Sequence, residues 1–145
     1  MSTDAVTYAD VRVALDHPVG AVWAAVADFG RIDRWVAGVS GCAVDGQRAG
    51  MIRTVSLAGR QVREQLESID PIVRSLSYRI LSPHELPARD IRSEIQLVPL
   101  DGGGVEMRWR SKATGLTVPP EQLGARIEDF YRRSIEGLDR MLRDG

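Results

Sequence analysis

Hydrophobic and polar residues alternate along most of the chain, and a helical period replaces this alternation near the carboxyl end. Residues 6–15 alternate clearly, which predicts a half-buried strand. Its apolar face holds Ala9, Val11, Val13 and Leu15. Similar segments follow at about 39–45, 50–57, 61–69, 73–82, 90–99 and 104–112, separated by turn signals rich in Gly, Pro and Asp. The pattern therefore predicts seven short strands in series.

Two parts of the chain have a helical period instead. Pro18 suits the first position of a helix, and the apolar residues after it keep helical spacing until Gly30. A further helical turn is predicted at Arg31–Trp35. The last segment opens at Pro119-Pro120 and is the longest amphipathic stretch. Its apolar face holds Leu123, Ile127, Tyr131, Ser134, Leu138 and Met141, with Phe130 and Ile135 beside it.

A meander of seven antiparallel strands has an apolar face that is too wide to leave in contact with water. One long helix packed on that face would cover it. We therefore expect an α+β fold, in which a seven-stranded, curved antiparallel sheet wraps around the long C-terminal helix. One or two short helices are expected after the first strand.

Length and charge limit the number of domains and the kinds of partner that we expect for this chain. The 145 residues match one domain, 1–145, since single cores form at about 100–200 residues. A formal net charge of −1 argues against nucleic acid as a partner. No apolar run reaches the ~20 residues of a membrane span, and Met1–Ala5 lacks the features of a secretion leader. We therefore expect a cytoplasmic protein. An intrachain disulfide is excluded, because Cys42 is the only cysteine.

Two charged residues interrupt apolar strand faces, where an unpaired charge is costly to bury. Arg53 shares its face with Met51, Val55 and Leu57, and Glu64 shares its face with Val62, Leu66 and Ser68. If the turn is centred on Ala58-Gly59, Arg53 lies directly opposite Glu64, with Cβ atoms about 4.5–5.5 Å apart. We therefore predict an inward-pointing ion pair. The alternatives are a surface ion pair of small energetic value and a pair that serves fold specificity alone.

Tyr78 and Trp109 also lie on predicted apolar strand faces, and each combines an apolar ring with a polar tip, which suits the wall of a cavity. An odd-length turn around Asp70-Pro71 would place Tyr78 roughly opposite Glu64. The simpler alternative is that each aromatic residue fills a solid core. His84 lies in a loop, where a histidine can titrate near neutral pH, although a merely solvated histidine is the alternative.

Several common catalytic arrangements are missing from the sequence. Two distant histidines and one cysteine make no zinc site by their spacing, and no nucleophile elbow is present. Gly102–Gly104 lacks the spacing of a phosphate-binding loop. We therefore expect neither a metal nor a cofactor. Glu64 is the best candidate for a general acid or base, with Arg53 and Tyr78 as further catalytic candidates.

An ordered series of short motifs runs through almost the whole chain. They are Pro18–Trp23, Asp28-Phe29, Trp35, Gly50–Arg53, Leu57–Gly59, Val62–Leu66, Ile69-Asp70, Tyr78–Ile80, Leu86-Pro87, Gly102-Gly103 and Trp109, followed by the final helix. Together they resemble the START-like (SRPBCC) superfamily, in particular its polyketide cyclase/dehydrase branch. The resemblance implies a helix-grip fold that encloses an apolar cavity, and it implies that Glu64 faces this cavity.

The plant abscisic acid receptors are similar relatives in which a gate loop and a latch loop close over the ligand. The stretches that resemble them here are Ser56–Gly59 and His84–Leu86. The gate lacks the proline of the receptors, and Glu85 stands where the latch has arginine. The resemblance therefore does not imply hormone recognition.

These observations predict a protein that binds a small, largely apolar organic molecule, such as a lipid or polyketide, between the sheet and the helix. Arg53 and Glu64 would orient a polar group of the ligand, since pockets hold few polar residues among many apolar ones. The other expected contacts are Val55, Val62, Leu66, Tyr78, His84, Leu86, Trp109, Ile127, Tyr131 and Ile135.

Two functions of other classes stay open at this point. A cyclase, aromatase or dehydratase would use Glu64 or Tyr78 to transfer protons and Arg53 to stabilise an enolate. A START-like assembly factor would bind a partner protein, which a contiguous exposed apolar patch would favour. A homodimer also stays open.

Overall fold

The computed structural model describes residues 4–145. In chain order the elements are β1 (Val6–Leu15), α1 (Val19–Ala27), a 3-10 helix (Ile32–Arg34), β2 (Val39–Asp45), β3 (Ile52–Leu57), β4 (Arg60–Asp70), β5 (Ser75–Ile80), β6 (Arg89–Pro99), β7 (Val105–Thr114) and α2 (Pro120–Asp144). Each strand begins and ends within two residues of its predicted bounds. Met1, Ser2 and Thr3, which formed part of the argument against a secretion leader, lie outside the described residues.

All seven strands form one antiparallel sheet, in the order β1-β7-β6-β5-β4-β3-β2. This curved sheet and the C-terminal helix confirm the predicted α+β fold. The best-packed part of the core lies where β1, β6 and β7 meet the two helices, and it includes Val11, Val22, Met107, Leu123 and Leu138. Among the described residues, neither helix is long and apolar enough to cross a membrane.

The β3–β4 hairpin has the predicted register. Ala58 and Gly59 form its two-residue turn, and their φ angles of 52° and 78° are those of the turn type that matches the twist of paired strands. Arg53 therefore pairs with Glu64 in the ladder. The side chains of both residues lie on the face of the sheet that is turned toward α2, as predicted.

The β4–β5 hairpin differs from the prediction. The loop between Asp70 and Ser75 has an even number of residues, and a bulge between Leu66 and Ser68 adds the extra residue within β4. As a result Tyr78 lies opposite Leu66, whereas Glu64 lies opposite Ile80. The same bulge turns Ser68 to the exposed side, although alternation placed it on the face of Glu64.

Helix α2 packs closely against the backbone of other elements at two glycines. A Cβ atom added to Gly124 would lie 2.0 Å from the carbonyl oxygen of Tyr8, and one added to Gly137 would lie 2.4 Å from that of Trp35. Between them, the Ser134 hydroxyl accepts a hydrogen bond of 3.1 Å from the backbone N–H of Ala37. These contacts hold the two ends of the helix against β1 and the 3-10 helix region.

Candidate functional site

A cavity of about 1110 Å³ lies between α2 and the part of the sheet formed by β3, β4 and β5. Ten of the twelve residues predicted for the site line it: Arg53, Val55, Val62, Glu64, Tyr78, His84, Leu86, Trp109, Ile127 and Tyr131. The apolar strand faces therefore enclose a space and do not form a solid core there.

The other two predicted residues, Leu66 and Ile135, pack in the core and do not line the cavity. Leu66 lies next to the bulge and opposite Tyr78. Ile135 lies one helical turn beyond Tyr131, where α2 is already in close contact with its neighbours. Both side chains are less than 3% exposed, at 2% and 1% respectively.

Arg53 and Glu64 form an ion pair on the cavity wall. The Nε of Arg53 donates to Oε1 of Glu64 at 2.8 Å, and Nη2 lies 2.7 Å from the same oxygen. The arginine side chain is 6% exposed and the glutamate side chain 14% exposed. The pair is therefore largely removed from water, with the carboxylate as its more accessible member.

Phe29, which the sequence did not indicate as a site residue, completes the surroundings of Arg53. Its backbone carbonyl accepts a hydrogen bond of 3.1 Å from Nη1 of Arg53. Its ring lies over the guanidinium group, with the Cζ atom 3.8 Å from the ring centroid, and the ring of Tyr78 lies 4.8 Å from the same atom. Cation–π contacts of this kind stabilise a charge that has lost its hydration. Phe29 lies just beyond α1, so this contact ties α1 to the sheet.

An aromatic cluster forms the wall next to this ion pair. The Nε1 of Trp109 donates to the hydroxyl of Tyr78 at 3.1 Å, and the indole ring stacks on Tyr131 with centroids 3.9 Å apart. The rings of Phe130 and Trp35 also contact Trp109. Flat aromatic faces near a polar pair suit a ligand that is mostly apolar.

Hydroxyl groups form a buried chain from α2 across β6, β7 and β1. The hydroxyls of Tyr131 and Ser93 are 3.3 Å apart, Ser93 donates to Ser111 at 3.1 Å, and Ser111 donates to the carbonyl of Arg92 at 3.2 Å. The hydroxyl of Tyr8 joins Ser111 at 2.6 Å. Simple alternation places Tyr8 on the outer face, but the register shift between Thr7 and Ala9 turns it inward.

The mouth of the cavity lies between the β3–β4 turn, the β5–β6 loop and the exposed side of α2. Arg60, at the start of β4, forms an ion pair with Glu85 in the loop, and both side chains are exposed. In the same loop, Nδ1 of His84 accepts a hydrogen bond of 3.2 Å from the backbone N–H of Leu86. His84 therefore shapes the loop as well as lining the cavity.

All three tyrosines of the chain, Tyr8, Tyr78 and Tyr131, belong to this buried region. Burial raises the pKa of each phenol above its ordinary value of 10.0. We therefore expect no tyrosinate absorbance at 295 nm near pH 10 while the protein is folded. Because the folded state holds these protons more tightly, their contribution to stability is complete below pH ~10 and is lost as the pH rises through the folded-state pKa values.

The measurement is an alkaline titration followed by absorbance at 295 nm and by circular dichroism on the same samples. The two signals should change together, whereas the protein in concentrated guanidinium chloride should ionise near pH 10. A Tyr8→Phe variant should lose about one third of the total amplitude, since one of three tyrosines is removed. Ionisation near pH 10 with unchanged circular dichroism would contradict the burial of these hydroxyls.

No group of three or more His, Cys, Asp or Glu side chains within residues 4–145 is arranged to hold a metal ion. The exposed large apolar side chains, which bear on the assembly-factor alternative, belong to several elements, and none lines the cavity. They are Val6, Val44, Ile69, Ile72, Val73, Val98 and Leu100.

The fold is similar to several solved structures. A protein from Thermobifida fusca is 24% identical with a TM-score of 0.83, and 93% of each chain is covered. An uncharacterised protein from Bacillus thuringiensis is 16% identical with a TM-score of 0.79, covering 94% of this chain and 97% of that one. The protein XoxI from Bacillus cereus is 18% identical with a TM-score of 0.78, covering 91% and 94%. At these identities the likeness shows the fold alone.

The sequence comparison gives a more specific result. No curated protein matches the chain. Residues 7–143, however, match the family described as polyketide cyclase / dehydrase and lipid transport. The match spans every strand and both helices, apart from Val6 at the start of β1 and Asp144 at the end of α2. The chain therefore belongs to the polyketide cyclase / dehydrase and lipid transport family, as its motifs suggested.

Proposed function

We propose that this protein binds a small, largely apolar organic molecule in the cavity between the sheet and α2. The observation that carries the proposal is the cavity of about 1110 Å³, which is lined mainly by aliphatic and aromatic side chains and has one largely buried ion pair on its wall. Binding sites for small molecules have this composition, because apolar contacts supply affinity and a few polar groups fix orientation. Membership of a family that includes lipid transport supports the same ligand class.

Nile red, a neutral apolar dye whose fluorescence rises in apolar surroundings, tests this proposal directly. We expect saturable binding to the purified protein and a loss of affinity of about tenfold or more in a Val62→Trp variant, equivalent to ~1.4 kcal/mol of binding free energy. Val62 lines the cavity two residues before Glu64, so the indole ring would occupy space beside the ion pair.

The matched control is Arg63→Trp, because the side chain of Arg63 is exposed and lies outside the cavity. This variant adds the same apolar surface to the same strand, and we expect wild-type affinity. Equal affinity of the wild type and both variants would contradict binding in the cavity. Native mass spectrometry of the freshly purified wild type should also show a bound organic molecule that is depleted in Val62→Trp.

The enzyme alternative stays a hypothesis about the same site. Glu64 is the better candidate for a proton acceptor, because burial raises the pKa of Tyr78 and keeps its phenol protonated at neutral pH. A cyclase or dehydratase would need to bind its substrate before any proton transfer. Binding is therefore common to both functions, and it is the function that we propose.

A further inference from the structure

The polar groups of the cavity differ in whether they can still donate or accept a hydrogen bond. Arg53 uses three of its nitrogens within the protein: Nε and Nη2 contact Glu64, and Nη1 donates to the carbonyl of Phe29. The ring of Phe29 covers its guanidinium group at 3.8 Å. Arg53 is therefore a structural partner of Glu64, and it is poorly placed to receive an acidic group of a ligand.

Glu64 has the opposite character. Both of its contacts with Arg53 end on Oε1, and no residue in the described part of the chain donates a hydrogen bond to Oε2. The side chain lines the cavity and is the more exposed member of the pair. An ionised carboxylate can only accept hydrogen bonds, so Glu64 offers the cavity an unused acceptor.

The protons of the hydroxyl chain are also committed within the protein. Ser111 gives its single proton to the carbonyl of Arg92, so Tyr8 must be the donor in its contact with Ser111. Ser93 gives its proton to Ser111, so Tyr131 must donate to Ser93. The phenol oxygens of Tyr8 and Tyr131 therefore keep only lone pairs for a molecule in the cavity. The hydroxyl of Tyr78 accepts from Nε1 of Trp109, and its own proton can be donated to the oxygen of a hydroxyl group that binds beside Glu64.

The other arginines that line the cavity do not occupy the free acceptor of Glu64. Arg60, Arg126 and Arg133 are exposed and lie at the mouth. Arg60 is paired with Glu85, and Arg133 is paired with Asp129. An acidic group placed beside Glu64 would meet a second negative charge in surroundings with little water, where such repulsion is strong.

We propose that the cavity selects neutral apolar molecules that carry a hydroxyl group, which donates a hydrogen bond to Oε2 of Glu64, and that it rejects the corresponding carboxylates. This inference rests on the proposed function, because it assumes that the cavity binds a small molecule. It adds the chemical class of the ligand and makes Glu64 the residue that determines specificity. Charge-assisted hydrogen bonds of this kind are strong enough to discriminate between closely similar molecules.

The test uses three molecules with the same aromatic skeleton: 2-naphthol, 2-methoxynaphthalene and 2-naphthoate. Each competes with bound Nile red at pH 7. We expect 2-naphthol to displace the dye at a concentration about tenfold lower than the ether, because hydrogen bonds to a charged acceptor are that strong. The naphthoate is expected to be weaker than the naphthol by at least the same factor.

A Glu64→Gln variant should largely remove the preference for naphthol over naphthoate. Its side chain has no negative charge and leaves the charge of Arg53 uncompensated, so naphthoate should displace the dye at a concentration about tenfold lower than in the wild type. The preference for naphthol over its ether should shrink at the same time. Glu67→Gln is the matched control, because Glu67 is exposed on the same strand and pairs with Arg92, and its selectivity should equal that of the wild type.

The outcomes separate this inference from the proposed function. If Nile red does not bind the wild type, the proposed function is contradicted. If the dye binds but naphthol and its ether displace it equally, or naphthoate is preferred, or none of the three displaces it, the hydroxyl selectivity is wrong and cavity binding stands. If selectivity is unchanged in Glu64→Gln, Glu64 does not determine it.

Discussion

Replacement of Gly124 by alanine is expected to lower the free energy of unfolding by about 2 kcal/mol or more, although alanine is the better helix former. The added Cβ atom would lie 2.0 Å from the carbonyl oxygen of Tyr8. The oxygen is a backbone atom, and the backbone of α2 fixes the position of the Cβ atom, so neither can rotate away as the end of a flexible side chain could. Helix α2 would have to move off β1, and the surrounding core would lose contacts.

Urea unfolding followed by circular dichroism measures this effect. The control is Gly20→Ala in α1, where no atom lies within 4 Å of the added Cβ. That variant is expected to be neutral or stabilised by up to ~1 kcal/mol, since only the helix propensity changes. If Gly124→Ala were as stable as Gly20→Ala, the close packing of α2 against β1 would be wrong.

Replacement of Arg53 by methionine is expected to lower the free energy of unfolding by about 2–3 kcal/mol. Removing one member of a buried ion pair leaves the other charge without compensation and typically costs about 3–5 kcal/mol. The side chain of Glu64 is 14% exposed and keeps some contact with solvent. We therefore expect a loss at the lower end of that range or slightly below it. The double variant Arg53→Met/Glu64→Leu should recover most of the loss, because an apolar pair needs no compensation.

The control for this experiment is Arg92→Met. Arg92 pairs with Glu67 on the outer face of the same sheet, where its side chain is 49% exposed. Exposed ion pairs contribute about 0–1 kcal/mol, so this variant should be close to the wild type. A loss in Arg53→Met no larger than in Arg92→Met would mean that the inner pair is hydrated like a surface pair. The lack of any recovery in the double variant would show that lost packing, and not the isolated charge, causes the effect.

The sequence was sufficient to predict the parts of the site that depend on local chemistry. The alternation of β3 and β4, together with a two-residue turn at Ala58-Gly59, defined one register, and that register places Arg53 opposite Glu64. The two prolines at the start of α2 and its apolar stripe likewise defined the helix that closes the cavity. In each case the neighbouring residues along the chain carry the information.

The parts that could not be predicted depend on features without a sequence signal. A bulge adds a residue without requiring a particular side chain, so the sequence could not predict the cross-strand partner of Tyr78 or the inward position of Tyr8. The contact between Arg53 and Phe29 uses a backbone carbonyl, which every residue has. Whether Ile135 faces the cavity or the core depends on where α2 meets its neighbours, and helical spacing alone cannot distinguish the two.

Glu67 is a residue of β4 that the chain could lose without turning other side chains to the opposite face of the sheet. Its removal would leave a regular ladder, with Leu66 still opposite Tyr78 and Ser68 still opposite Ser77. Deletion of a residue between Arg60 and Glu64 would instead shift the register of β4. Its side chains could then not keep their present partners in both β3 and β5. Homologous chains with or without the residue at the bulge can therefore share this cavity. A deletion between Arg60 and Glu64 instead distinguishes chains whose cavities carry different polar groups.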